Sequence, residues 1–217
     1  RFMKNARKFS QRERGFRFGG LFNTFFSSNE TGRRGNLELN GSGKLIAFRV
    51  SQSLDRFNNY FAGKPNSTDI ARLRADDLQI TDDGEILNSQ SHGSNNQATL
   101  RFFINDTNTL KVNYERRRSS NVGSSGLAGA NTGVPGLTGV FNGFFPFSNR
   151  DRFSARYDVA AVNKYLQLVT AKAFYQTQYR NLTNILTVPS APPYFPGLYQ
   201  YSETVTDTKT SGFDLQT

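Results

Sequence analysis

Cysteine is absent from the 217 residues, which excludes a disulfide framework and any thiolate metal site. Its avoidance suits an oxidising envelope compartment. No run of about 18 apolar residues occurs, so no helical membrane span is expected, in line with a mean hydropathy of −0.58. That absence leaves a membrane β-barrel open, because such a barrel shows itself by alternation rather than by bulk hydropathy. Histidine is nearly missing: His92 stands alone, without the partners of a catalytic triad, and no enzymatic activity is expected. The glycines between Gly123 and Gly139 lack the Gly-Lys-Ser/Thr ending of a phosphate-binding loop. Asp82-Asp83-Gly84-Glu85 lacks calcium-loop spacing and reads as a solvated acidic loop, so no cofactor is expected.

What the chain has instead is alternation. From Arg152 to Val159 the residues Phe153, Ala155, Tyr157 and Val159 point one way, and Arg152, Ser154, Arg156 and Asp158 the other. After a reversal near residue 161, a return run places Tyr165, Val169, Ala171, Ala173, Tyr175 and Tyr179 on one face. Leu168, Thr170, Lys172, Phe174 and Gln176 take the opposite face. Tyr165 and Tyr175 are ten positions apart. At ~3.3 Å per residue and a tilt of roughly 45° this projects to about 23 Å, near the height of a barrel's apolar band. A solvent-backed sheet of a soluble sandwich alternates as well.

The same pattern recurs along the chain. Phe16, Phe18, Phe22 and Phe26 oppose Arg17, Gly19 and Asn23, and Leu37 and Leu39 oppose Asn36, Glu38 and Asn40. Gly41-Ser42-Gly43-Lys44 reads as a tight turn using positive φ. Ile46, Phe48 and Val50 oppose Ala47, Arg49 and Ser51. Farther on, Ala98, Leu100 and Phe102 oppose Thr99, Arg101 and Phe103, and Leu110, Val112 and Tyr114 oppose Lys111, Asn113 and Glu115. A last strand is expected from about Thr208. Residues 27–34 read as a loop, and residues 1–13 as a basic arm or the remnant of an upstream segment. The remainder, 14–217, then holds about eight strands. Long loops near 57–94, 119–149 and 181–203 alternate with short turns near 42, 107 and 161. Long loops on one side and short turns on the other are the habit of outer-membrane barrels. The fold class expected is therefore all-β: an antiparallel transmembrane β-barrel, present as part of a larger one.

Several motifs, in order along the chain, resemble the TonB-dependent outer-membrane receptors. They are Gly41-Ser42-Gly43-Lys44 followed by Phe48-Arg49-Val50-Ser51, then Asn121-Val122-Gly123 with Pro135-Gly136. After these come Phe145-Pro146-Phe147-Ser148-Asn149-Arg150-Asp151-Arg152 and the closing Thr210-Ser211-Gly212-Phe213-Asp214-Leu215-Gln216-Thr217. The resemblance covers residues 14–217. It implies a barrel of roughly 22 strands around a plug domain, of which this chain has room for the first part only. It further implies energy-coupled uptake of an iron chelate, haem or similar nutrient in the bacterial outer membrane. The energy-coupling TonB protein, outer-membrane lipid and lipopolysaccharide would be its partners. His92 would be a possible haem ligand.

Candidate sites follow from residue types. The loop aromatics Tyr60, Phe61, Phe141, Phe144, Phe145, Tyr194, Phe195 and Tyr199 are candidates for ligand binding. The lumen-facing charges expected are Arg17, Arg49, Arg101, Lys111, Arg156 and Lys172, outnumbering Glu38, Asp55, Glu115 and Asp158 and suited to an anionic ligand. Arg116, Arg117 and Arg118 are read as a rim meeting lipopolysaccharide phosphates or another anion. A surplus of unpaired charge fits a wide, wet lumen better than a small filled one, so an open sheet with two unpartnered edges is expected. Two alternatives stay open: a complete eight-stranded barrel with a structural or adhesive role, and a soluble basic β-protein binding nucleic acid. The net charge of +10 invites the latter, but aromatics and charges segregate to opposite faces and no nucleic acid is expected as partner. The chain shows no signal peptide at Arg1 and reads as mature, trimmed or a fragment.

Overall fold

The computed structural model describes residues 15–63, 66, 68–71, 80–123, 129–131, 138–160, 165, 167–190 and 196–217, and most of these lie in antiparallel β-structure. In chain order the strands are β1 (Arg17–Ser27), β2 (Gly32–Ser42), β3 (Ile46–Phe57), β4 (Tyr60–Phe61), β5 (Glu85–Ile86) and β6 (Ser91–Phe103). They continue with β7 (Asn108–Gly123), β8 (Gly129–Asn131), β9 (Thr138–Ala160), β10 (Leu168–Val188) and β11 (Leu198–Gln216). Eight long strands form one sheet in the order β1-β2-β3-β6-β7-β9-β10-β11, with β8 on β9 and a separate β4-β5 pair. The expected all-β class holds, and the long strands number eight, with three short strands besides. β1 and β11 are the two edges and do not pair with each other, so the described sheet is open rather than a small closed barrel.

Short turns set the register. Gly43 N donates to Ile46 O (2.8 Å) across the β2–β3 reversal, while Asn105 Oδ1 accepts from the backbone N–H groups of Thr107 (3.0 Å) and Asn108 (2.7 Å) before β7. Gly41 does not supply positive φ as expected; it lies in β2, and among the described residues the left-handed glycines are Gly63, Gly84 and Gly197. Its lack of a side chain has a steric use. A Cβ there would meet Phe48 at 2.4 Å and Phe16 at 2.8 Å, so Gly41 is the gap over which these stacked rings lie.

Strands run farther than alternation alone indicates. β2 begins at Gly32, inside the stretch read as a loop, and β9, β10 and β11 reach 23, 21 and 19 residues. The last strand starts at Leu198 rather than near Thr208, and β10 continues to Val188, so much of the expected 181–203 loop is paired strand. Mixed polar and β-branched residues such as Thr183, Ile185 and Thr187 carry no clean alternation, but pairing with β11 satisfies their backbone. A register shift between Asn181 and Thr183 marks a bulge in the β9–β10 ladder. Tyr165 lies outside β10, so the Tyr165–Tyr175 spacing does not run along one strand. The turn near 161 lies outside the described residues.

Register aligns the alternation of all eight strands. One row reads Phe18, Gly41, Phe48, Leu100, Val112, Ala155, Ala173 and Phe213 from edge to edge. The row before it reads Ile46, Phe102, Leu110, Tyr157, Ala171 and Leu215 from β3 to β11. The row after it reads Gly20, Leu39, Val50, Ala98, Tyr114, Phe153, Tyr175 and Ser211. Most of these apolar side chains are exposed, Phe18 at 68%, Leu100 at 40% and Phe213 at 72%, and others such as Phe48, Leu110 and Val112 are half-buried. Of the sheet's buried residues, Ala47, Phe103, Thr109 and Thr170 sit on the opposite, charged face, while the polar Asn181, opposite Phe147, lies beyond these rows on the apolar side. Among the described residues the one buried apolar cluster is Ile70, Ile80 and Ile86, in the excursion between β3 and β6. A sheet folded for water covers its apolar face; here that face is left open.

Candidate functional site

The charged face carries the strongest arrangement. Arg17, Ser42, Ala47, Arg101, Lys111, Arg156, Lys172 and Asp214 occupy one continuous row across the eight strands. Five of the six cations read as lumen-facing therefore share one row, and Arg101, Lys111, Arg156 and Lys172 stand side by side on adjacent strands. The sixth, Arg49, lies one row farther on and pairs with Glu38 (2.7 Å). Like charges directly opposite each other destabilise a sheet unless anions answer them. Asp158 answers at one point: it accepts from Arg156 Nε at 2.7 and 3.0 Å and from Thr170 Oγ1 at 2.7 Å. Lys172 Nζ reaches Asp214 at 3.0 Å. Beside this row, Thr99 Oγ1 donates to Asn113 Oδ1 (3.0 Å) and Asn113 Nδ2 to Ser154 Oγ (3.3 Å), linking three strands through polar side chains.

The next rows on this face stay polar. Glu115 takes the Arg150 guanidinium, and Arg152 lies over the Phe174 ring at 5.2 Å. A Cβ at Gly212 would meet that ring at 2.4 Å, so the glycine makes room for it. The surface so formed is wettable, sheltered and positive, and suits an anion rather than a proton-transfer reaction. No group of His, Asp or Glu that could hold a metal ion occurs among the described residues. No family model, curated protein or solved structure matches this chain. The site therefore stands on its own geometry.

Other candidates are redistributed. Phe141, Phe144 and Phe145 lie within β9, Tyr199 within β11, and Tyr60 and Phe61 within β4, so these aromatics are strand residues and not loop residues. Phe145 packs under the Arg180 guanidinium at 4.9 Å. Tyr194 and Phe195 lie outside the described residues. Arg116, Arg117 and Arg118 sit inside β7, and alternation sends Arg117 to the charged face and the other two to the apolar one. They do not form a single rim. His92 is in β6, opposite Arg56 and Ser120, rather than in a loop.

One cluster was not legible in advance. Just beyond the aromatic row, Arg118 and the Tyr114 hydroxyl (3.0 Å) both donate to Asp151. The pair of Arg118 and Asp151 joins β7 to β9 through their side chains, on the same side of the sheet as the apolar rows.

Proposed function

We propose that this chain forms eight strands of a larger outer-membrane β-barrel receptor that takes up an anionic nutrient, an iron chelate or haem, with energy supplied through the TonB protein. The observation that carries the membrane reading is the inversion of the sheet: an exposed apolar face across eight strands, backed by a sheltered polar one. Lipid covers such a face, and a water-filled lumen accommodates the other. The apolar face is also oblique to the pairing rows. On β1–β3 its unbroken run extends to Phe22, Leu37 and Leu54, whereas on β11 Phe213 and Leu215 are followed on that side by Ser211, Lys209 and Asp207, an offset that tilted strands would give. The edges β1 and β11 would each take a further strand, since a spanning sheet must close.

The receptor role draws on the motif resemblance and on the cationic row, which would focus an anionic ligand inside the lumen. Removing the gene from the native cell should abolish growth on one iron source, and return of the intact gene should restore it. Unchanged growth on every iron chelate and on haem would remove the nutrient reading. Topology has a separate check. Protease added to intact cells should cut only the connections between β3 and β6, β7 and β9, and β10 and β11. Cleavage at residues 104–107 under those conditions would invert the arrangement.

A further inference from the structure

Resting on that membrane reading, we propose that the cleft lined by Arg33, Arg56 and Arg118 with Phe26, Leu54 and Phe147 binds the phosphate of an anionic lipid whose acyl chains lie on the adjoining apolar face. The cleft, about 1140 Å³ and open, is lined mainly by two pairing rows, with Arg34, Asp55, Gly93, Ser119 and Asn121 also reaching it. The nearer holds Thr24, Gly35, Leu54, Ser94, Arg118 and Asn149, and the farther Phe26, Arg33, Arg56, His92, Ser120 and Phe147. Both rows belong to the same face as the apolar residues, so the cleft continues that surface without a change of side. Arg33 and Arg56 stand one pairing step past Leu54. Two residues advance ~6.6 Å along a strand, or about 5 Å along the bilayer normal at a tilt of roughly 45°, which is headgroup depth.

The chemistry of the cleft is that of a phosphate receptor. Arg33 and Arg56 are directly opposite each other, exposed, and make no ion pair with a carboxylate among the described residues. Such a juxtaposition is unfavourable until an anion sits between the two guanidinium forks, and phosphate oxygens match that fork geometry. Asp55, the one carboxylate among the lining residues, belongs by alternation to the opposite face. Arg118 is already held by Asp151 and so is fixed in place as a third donor. Phe26, Leu54 and Phe147 are each more than half exposed and give the hydrocarbon next to a phosphate an apolar wall. A free anion would use the arginines but not this wall.

The test is native mass spectrometry of the intact protein in neutral detergent, titrated separately with dioctanoyl phosphatidic acid, dioctanoyl phosphatidylcholine and inorganic phosphate. Phosphatidic acid should bind at least tenfold more tightly than either other probe. The double variant Arg33→Gln/Arg56→Gln should lose that preference, while Arg117→Gln, on the other face, should retain it. Equal binding of inorganic phosphate would assign the site to a free anion, and equal binding of phosphatidylcholine would make it merely apolar; either overturns the proposal. Membrane insertion is followed in parallel by cell fractionation. A chain that inserts but shows no preference for phosphatidic acid defeats this inference alone. A chain that stays in the soluble fraction defeats the membrane reading and this inference with it.

Discussion

Leu100→Arg should destabilise the inserted protein by about 2–4 kcal/mol, the cost of a cation on the lipid side of a barrel near the bilayer midplane. Leu100 is the place to ask. It sits in the middle of the three apolar rows, on β6, flanked by Phe48 and Val112 on paired strands. It is 40% exposed, so in water the same substitution would fall within about 0.5 kcal/mol of neutral, as surface changes usually do. Lipid and solvent therefore predict different magnitudes at one residue. Gln97→Arg is the matched control. It places the same cation on the charged face, opposite Glu115, where a wet lumen makes it nearly neutral. Denaturant unfolding from bilayers reads both. If Leu100→Arg and Gln97→Arg prove equally mild, the apolar face is not against lipid.

The faces were readable because strand side chains repeat every two residues and composition segregates cleanly in the strands flanking short turns. Parity alone placed Arg101, Lys111, Arg156 and Lys172 together on one face. That they form a single row depends on register, which is set by the reversals at 43–45 and 104–107 and by pairings remote in sequence. The far ends of the strands were harder to read. Once β9, β10 and β11 pass the apolar rows, both faces turn polar or mixed and the period fades, so Phe144 and Phe145 looked like loop residues although backbone pairing continues. The arginine cleft on the apolar face was missed for a related reason. Arg33 fell in an apparent loop, and nothing in a single strand shows that it will stand opposite Arg56. Counting by twos from Leu37 and Leu54 does put both arginines on the apolar face, and that signal was available.

Asp158→Asn should cost about 1–2 kcal/mol, and its cost should depend on a residue it does not bond. The carboxylate holds Arg156 and Thr170 directly. A hydrogen bond to a charged group contributes about 1.5–3 kcal/mol, and the exposure of Arg156 places the expectation at the lower end. Its wider effect comes from the row. By register Lys111 lies between Arg101 and Arg156, and the field of Asp158 reaches it. Without that carboxylate, Arg101, Lys111, Arg156 and Lys172 retain Asp214 as the acid within their own row. Removing one cation should then relieve the strain, so Lys111→Gln in the Asp158→Asn background should recover part of the loss, a coupling that a double-mutant cycle measures. Added salt should shrink the loss as well, because the repulsion crosses a water-accessible face. Anion capture should move the other way: a charged face one negative charge poorer attracts an anion more strongly, even as the fold weakens. Strict additivity of Asp158→Asn and Lys111→Gln, with no response to salt, would mean that the cations are insulated from one another and that the row does not act as one electrostatic unit.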